Sequence, residues 1–186
     1  MLEILGGIIV SAIMILLSGI KVVKDYNQLV VFRFGKLIDS KGPGVHLVIP
    51  FMDQVETVDT RIVTVATPTL EELTQDNVAI KISAACLFQV ADAKRTVSRV
   101  DDINVAIAEL AQSSLRSGVS QYTLRQIVTD RGKLNAFLKE KLEKQAKDWG
   151  IKIVTFEIKE INLPADVKKA LLRENLAEAE LIKSEI

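Results

Sequence analysis

Hydrophobic and polar positions divide this 186-residue chain into two regimes. From Ile4 to Ile20 (ILGGIIVSAIMILLSGI), 17 consecutive positions carry no charge. A helix of that length spans roughly 26 Å, slightly less than a hydrocarbon core of about 30 Å. Leu2, Val22 and Val23 extend the segment, while Lys21 and Lys24 can snorkel to the headgroups. The pattern then switches to short strands. Gln28–Phe34 (QLVVFRF) is β-branched and aromatic and stops at Gly35. Gly42-Pro43-Gly44 reads as a turn before Val45–Ile49, which Pro50 ends. Val55–Thr67 alternates in part and breaks at Pro68. Val78, Ile80 and Ile82 share one face at period two, in a strand predicted to continue through Ala84 to Val90.

Beyond residue 100 the period becomes helical. Asp101-Asp102 is placed to cap a helix carrying Ile103, Ile107, Leu110 and Ala111 and ending near Gly118. Thr123 opens a short helical piece over Leu124–Val128. Thr129 and Asp130 can cap a longer helix, with Leu134, Phe137, Leu138, Leu142 and Trp149 on one face and Gly150 past its end. Ile151–Leu163 returns to strand, with Val154, Phe156 and Ile158 opposite Glu157 and Lys159. Pro164 suits a first helical position, and Ala165–Ile186 is charged, alanine-rich and free of glycine and proline. Its apolar residues keep no clean seven-residue spacing. Strands, then helices, then a strand and a terminal helix predict an α+β fold, with helices packed on an antiparallel or mixed sheet. The expected division is an anchor helix over 1–22, a domain over 23–163, and the start of a long helix over 164–186.

Composition sharpens the first regime. Hydrophobic residues make up 48% of the chain and mean hydropathy is +0.24. The excess is local, because setting aside the first 20 residues leaves about 45% in the rest, ordinary globular usage. Three readings of the apolar segment compete. A cleaved signal peptide wants Lys or Arg before the run and a small-residue cleavage site after it, whereas Glu3 precedes this one and Ser18-Gly19-Ile20-Lys21 ends it. A buried core helix is seldom apolar on every face. An uncleaved membrane anchor fits best, with Ile4, Ile8, Ile9, Val10, Ile13, Met14, Leu16, Leu17 and Ile20 as its lipid-facing side chains. Lys21, Lys24, Arg33, Lys36 and Lys41 follow the segment and no basic side chain precedes it, so the positive-inside bias places the main domain in the cytoplasm.

Two further stretches bear on the bilayer. Lys24-x-Tyr26-x-x-Leu29 fits the loose pattern proposed for sterol contact, but Tyr26 is more simply an interfacial aromatic beside the anchor. Val45–Met52 (VHLVIPFM) is nearly all apolar and reads equally as a bilayer-touching segment or a buried core strand. Lys21, Lys24, Tyr26, Leu47, Ile49 and Phe51 are the membrane-interface candidates.

Charge and chemistry then exclude whole classes. Lys plus Arg and Asp plus Glu number 24 each, which removes the electrostatic basis for nucleic-acid binding. The single cysteine, Cys86, cannot form an internal disulfide, and with the single histidine, His46, it leaves no metal cluster of the usual spacing. Cys86 lies in an apolar strand and reads as a small buried residue, not a nucleophile. No nucleophile elbow, phosphate loop or dinucleotide fingerprint occurs. Glu71-Glu72 and Asp101-Asp102 are sequence neighbours, better explained as a solvated loop and a helix cap. A serine–lysine hydrolase tethered to the membrane is the enzymatic alternative that composition leaves open. A monomeric adaptor for one membrane partner is the non-enzymatic one. No catalytic residue and no cofactor are expected.

Several of these stretches resemble the stomatin/prohibitin family, also called band 7 or SPFH. Val30-Val31-Phe32-Arg33-Phe34-Gly35-Lys36 is followed by Gly42-Pro43-Gly44 and Ile49-Pro50-Phe51-Met52-Asp53, then by Val58-Asp59-Thr60-Arg61 and Leu73-Thr74-Gln75-Asp76-Asn77-Val78. Leu110-Ala111-Gln112-Ser113-Ser114-Leu115-Arg116-Ser117 and Tyr122-Thr123-Leu124 keep the order. Trp149-Gly150-Ile151-Lys152, Glu157-Ile158-Lys159-Glu160-Ile161 and Leu163-Pro164 are similar to the stomatin-like (slipin) branch.

The resemblance implies a non-enzymatic membrane scaffold that assembles into large homo-oligomeric rings or cages, organises membrane microdomains, and regulates partner membrane proteins such as channels or proteases. For a prokaryotic member it also implies a membrane protease or a small nodulation-efficiency-type membrane protein as partner. The terminal helix becomes the start of an oligomerisation coiled coil, with Val167, Leu171, Leu172, Leu176, Leu181 and Ile182 as candidate contacts, cut short at Ile186. Two features depart from animal stomatins. The apolar segment lacks the proline linked to their hairpin topology, which favours a spanning helix, and Cys86 lies far from the membrane-proximal cysteines that they palmitoylate.

Overall fold

The computed structural model describes residues 18–164 and 166–169. The elements are β1 (Ile20–Val23), β2 (Asn27–Arg33), β3 (Lys36–Lys41), β4 (Gly44–Leu47), β5 (Asp53–Asp59), β6 (Val63–Ala66), β7 (Leu70–Leu73), β8 (Ala79–Val90), α1 (Ala93–Arg99), α2 (Ile103–Val119), α3 (Leu124–Thr129), α4 (Arg131–Ala146), a 3-10 turn (Lys147–Trp149) and β9 (Ile151–Asn162). The α+β expectation holds for these residues. They form two compact units that the long elements run through.

The first unit takes residues up to Val63, Leu87–Ala106 and Glu143–Val154. Its three-stranded antiparallel sheet has the order β3-β2-β5, and a separate antiparallel pair joins β1 to β4. The central strand β2 is buried on both faces. Leu29 and Val31 pack with Val23, Val48 and Val55, while Val30 and Phe32 pack with Val58, Val90, Ala93 and Ile103. That two-sided burial is why QLVVFRF carries a continuous apolar run and not an alternation.

The second unit takes Thr64–Cys86, Ile107–Leu142 and the chain from Thr155. Strand β8 pairs with β6, β7 and β9. Its even-numbered residues Ile80, Ile82, Ala84, Cys86, Phe88 and Val90 are all buried, as the period-two pattern predicts. In α2, Ile107, Ala111, Leu115 and Val119 make a buried stripe at spacing four, and Leu134, Leu138 and Leu142 do the same in α4. Gly118 lets the two helices approach closely, since a Cβ there would lie 2.5 Å from Leu138 Cδ2.

The caps follow the sequence. Asp102 Oδ1 accepts from the Asn104 and Val105 N–H groups, and Thr123 with Gln126 forms a capping box on α3. Gly150 ends the 3-10 turn with φ +74°. One correction falls at the other end of the chain. Ile20 and Val22, expected at the end of the apolar helix, lie in strand β1, and the chain turns at Gly19. The rest of the expected anchor, Ile4 to Leu17, lies outside the described residues.

Candidate functional site

Strand β1 reads Ile20-Lys21-Val22-Val23, and only Val23 enters the core. Because strand side chains alternate, Ile20 and Val22 face the opposite way. The register with β4 pairs Ile20 with Leu47 and Val22 with Val45. All four side chains are exposed, Val22 at 75% and Val45 at 70%. An antiparallel ribbon with one face on the core is expected to present polar residues on the other. Here the outward face is four aliphatics, each forgoing roughly half or more of the about 1.5–3 kcal/mol that full burial gives.

The surface continues into the turn after β4. Val48 is buried, and its N–H donates to the Gly19 carbonyl at 2.8 Å, which fastens the turn to the residue just before β1. Ile49 and Met52 are exposed, and Phe51 is 96% exposed with φ +69°. A second turn joins it. Phe34-Gly35 links β2 to β3 as a two-residue hairpin with both φ values positive, +51° and +77°, the geometry of a type I′ turn. The Phe34 N–H donates to the Met52 carbonyl at 3.1 Å. Such turns favour Asn or Gly, and left-handed backbone costs a residue with a side chain about 1–2 kcal/mol. Phe34 is nevertheless 77% exposed.

Arg33 and Asp53 hold the two turns in register. Arg33 Nε donates to Asp53 Oδ1 at 2.7 Å and Nη2 donates to Oδ2 at 3.0 Å. Oδ2 also accepts the Ile49 N–H at 3.0 Å, and the Asp53 side chain is 3% exposed. Donation from Arg33, then from the Ile49 N–H, lowers the Asp53 carboxyl to about 2. A carboxyl depressed in the folded state contributes its stability above its unfolded value of about 3.9 and loses it as the pH falls. The clamp is therefore expected to stay intact down to pH 4 and to open as the pH passes through about 2. The Asp53 carboxyl carbon resonance should show that midpoint, and titration near 4 would contradict the clamp.

Of the interface candidates, Leu47, Ile49 and Phe51 come together on this surface. Lys21 is exposed but points to the other face of β1. Lys24 and Tyr26 follow the far end of β1, where the Tyr26 ring lies 5.7 Å from Lys24 Nζ and 4.5 Å from the Arg61 guanidinium carbon. The Tyr26 carbonyl accepts from the Thr60 N–H and hydroxyl. Sequence reasoning missed Phe34, Ile20 with Val22 as surface residues, and the Arg33–Asp53 clamp.

Of the terminal-helix candidates, Val167 is described. Residues 166–169 are helical, and the Lys168 N–H donates to the Pro164 carbonyl. Leu171, Leu172, Leu176, Leu181 and Ile182 lie outside the described residues.

The described residues offer little to catalysis. Cys86 is fully buried and burial pushes its thiol up to about 11, away from the thiolate a nucleophile needs. Glu72 pairs with Arg116, Glu71 lies 4.0 Å from Lys81, and Asp102 caps α2. Lys141 does meet Ser117. Its ammonium donates to the hydroxyl, which itself donates to the Ser114 carbonyl, the reverse of the arrangement in which lysine takes a serine proton. Among the described residues no cluster of His, Cys, Asp and Glu could hold a metal ion, and no helix is long and apolar enough to cross a membrane.

Known proteins resemble the chain over nearly its whole length. A stomatin homolog of Pyrococcus horikoshii is 35% identical over 173 residues, covering 93% of this chain and 65% of the relative. Stomatin-3 of Caenorhabditis elegans is 37% identical, covering 87% and 61%. Mouse stomatin is 32% identical, covering 83% and 55%. The chain thus spans less than two thirds of the length of these relatives. The model of the SPFH domain / Band 7 family matches residues 21–186, from β1 onward. With the hairpin, turn and helix motifs in family order and stomatins among its relatives, the chain belongs to the SPFH domain / Band 7 family.

Proposed function

We propose that the chain is a non-enzymatic membrane-anchored scaffold, held by the apolar segment that starts at Ile4 and ends before strand β1, which homo-oligomerises into rings or cages. In this role it organises membrane microdomains and regulates partner membrane proteins such as channels or proteases. The main domain is cytoplasmic, and in a prokaryote the partner is a membrane protease or a nodulation-efficiency-type membrane protein. The observation that carries the reading is the outward aliphatic face of β1 and β4, fastened by the Val48–Gly19 hydrogen bond to the point where the apolar segment ends. A contiguous apolar surface at that point suits a domain seated against a bilayer. The stomatin relatives and the buried or paired state of the candidate nucleophiles support the non-enzymatic part.

A ring forms when a heterologous contact closes on itself, so the detergent-solubilised particle is expected at many times 20.5 kDa. Light scattering on that particle checks it, and a clean monomer from native membranes would remove the scaffold. The adaptor reading is separated by crosslinking in those membranes. It yields one heterologous band, whereas the scaffold yields a homotypic ladder.

A further inference from the structure

We propose that Phe34 and Phe51 insert into the bilayer interface as an aromatic pair, forming a second attachment separate from the apolar segment that precedes β1. The inference deepens the membrane-scaffold reading and rests on it. Three non-glycine residues among those described have positive φ: Phe34, Phe51 and Asn77. Asn77 is a residue that this backbone tolerates well, whereas two phenylalanines are not. Both are among the most exposed apolar side chains described, at 77% and 96%. Folding alone gives no reason for either, because each adds backbone strain and neither buries its ring. Strain concentrated at an exposed side chain points to a task for that side chain.

The geometry makes the pair one tool. The Phe34 N–H bonds the Met52 carbonyl, and Arg33 bridges to Asp53, so the two turns are cross-linked at the residues next to both phenylalanines. A rigid carrier loses little conformational entropy when its tips become buried. The occupant follows from position. The turn bearing Phe51 begins at Val48, which is bonded to Gly19, one residue from the end of 17 uncharged positions. Whatever solvates that segment also lies beside the turn. Lys36 and Lys41 on the adjoining strand can meet phosphate headgroups, and Asp39 is the acidic residue between them. Aromatic rings at headgroup depth are the expected partners of such a surface.

The test places a reporter at each site. Phe34→Trp and Phe51→Trp are made separately in a Trp149→Phe background, since Trp149 is the chain's single tryptophan. The full chain is reconstituted into phosphatidylcholine–phosphatidylglycerol vesicles with plain or brominated acyl chains. Bromination is expected to quench emission at both positions at least twofold, and to leave a Val128→Trp control unchanged. A chain that floats with the vesicles but shows no quenching at positions 34 and 51 overturns the pair and leaves the scaffold reading standing. Blue-shifted emission without quenching assigns the rings to a second copy of the chain and also overturns it. A chain that does not float removes both. Phe34→Asn gives an independent reading, with Ile13→Arg and Leu16→Arg present to weaken the first attachment. Vesicle binding should fall about tenfold or more with no loss of thermal midpoint. A lowered midpoint would assign Phe34 to the fold instead.

Discussion

Replacing both Ile13 and Leu16 with arginine is expected to move the chain from the membrane pellet to the soluble fraction. Each arginine near the centre of a spanning helix costs about 2.5–3.5 kcal/mol on insertion scales, so the pair costs about 5–7 kcal/mol. Every 1.4 kcal/mol is a factor of about ten in partition, which makes the double change a loss of at least a thousandfold. Either change alone should leave an intermediate fraction bound, because one arginine can snorkel toward an end of the segment. Carbonate-washed membranes, blotted for the chain, provide the measurement. The described part of the molecule sharpens the expectation. The aliphatic face of β1 and β4 and the turn to Met52 remain intact in the double variant, so weak vesicle binding should persist. Full retention in the pellet would mean that the apolar segment preceding β1 is not the main attachment and that the surface at residues 45–52 suffices.

That surface shows where sequence reasoning stopped. VHLVIPFM could be a core strand or a bilayer contact by composition alone. The structure separates its residues. Val48 is core, while Val45, Leu47, Ile49 and Phe51 point out, with exposure at every odd position. The alternation was present in the sequence but was hidden because both faces are apolar. Phe34 was hidden for another reason. Gly35 was correctly a stop, but the residue before it looked like the end of strand β2, since phenylalanine is rarely placed at positive φ. The usable signal was two strand-like runs separated by two residues of which the second is glycine.

Elements fixed by local chemistry were legible. Helices α2 and α3 start at the side chains that cap them, and α4 begins just after Asp130. Strand β8 follows its period along its whole length. Elements fixed by distant partners were not. Strand β1 begins on the last residue of the uncharged run and continues past Lys21 with Val22 and Val23, and pairing with β4 makes it a strand. Helix α1 was missed altogether. Its sequence, AKRTVSR, buries only Ala93 and Thr96 and shows no apolar stripe. What holds it is Asp92, whose side chain accepts the Arg95 N–H, and the Thr96 hydroxyl, which donates to the carbonyls of Asp92 and Trp149. Trp149 lies 53 residues away, beyond any local pattern.

Gly150→Ala is the change expected to damage the folded domain most for its size. Its φ of +74° already costs an alanine about 1–2 kcal/mol. The added methyl would also lie 2.6 Å from the Asp92 carbonyl oxygen and 3.0 Å from the Cβ atoms of Asp92 and Arg95. The first of these is backbone, so it cannot be relieved by a rotamer change. The Gly150 carbonyl meanwhile accepts the N–H groups of Ala91 and Asp92, both at 2.9 Å, and a shift large enough to relieve the overlap would break these bonds. Strain and overpacking together come to about 2–5 kcal/mol, or roughly 5–15 °C of thermal midpoint for a domain of this size. Gly35→Ala provides the internal comparison. Its φ of +77° is nearly the same, but nothing lies within 4 Å of the new Cβ. It should therefore lose only the backbone part, about 1–2 kcal/mol. Equal midpoints for the two variants would show that the Asp92 contact relaxes, and the Trp149-Gly150 pair would then matter for its backbone conformation alone. A much lower midpoint for Gly150→Ala, with membrane attachment unchanged, would place that pair where the structure does: at a corner that ties α1 to the start of β9.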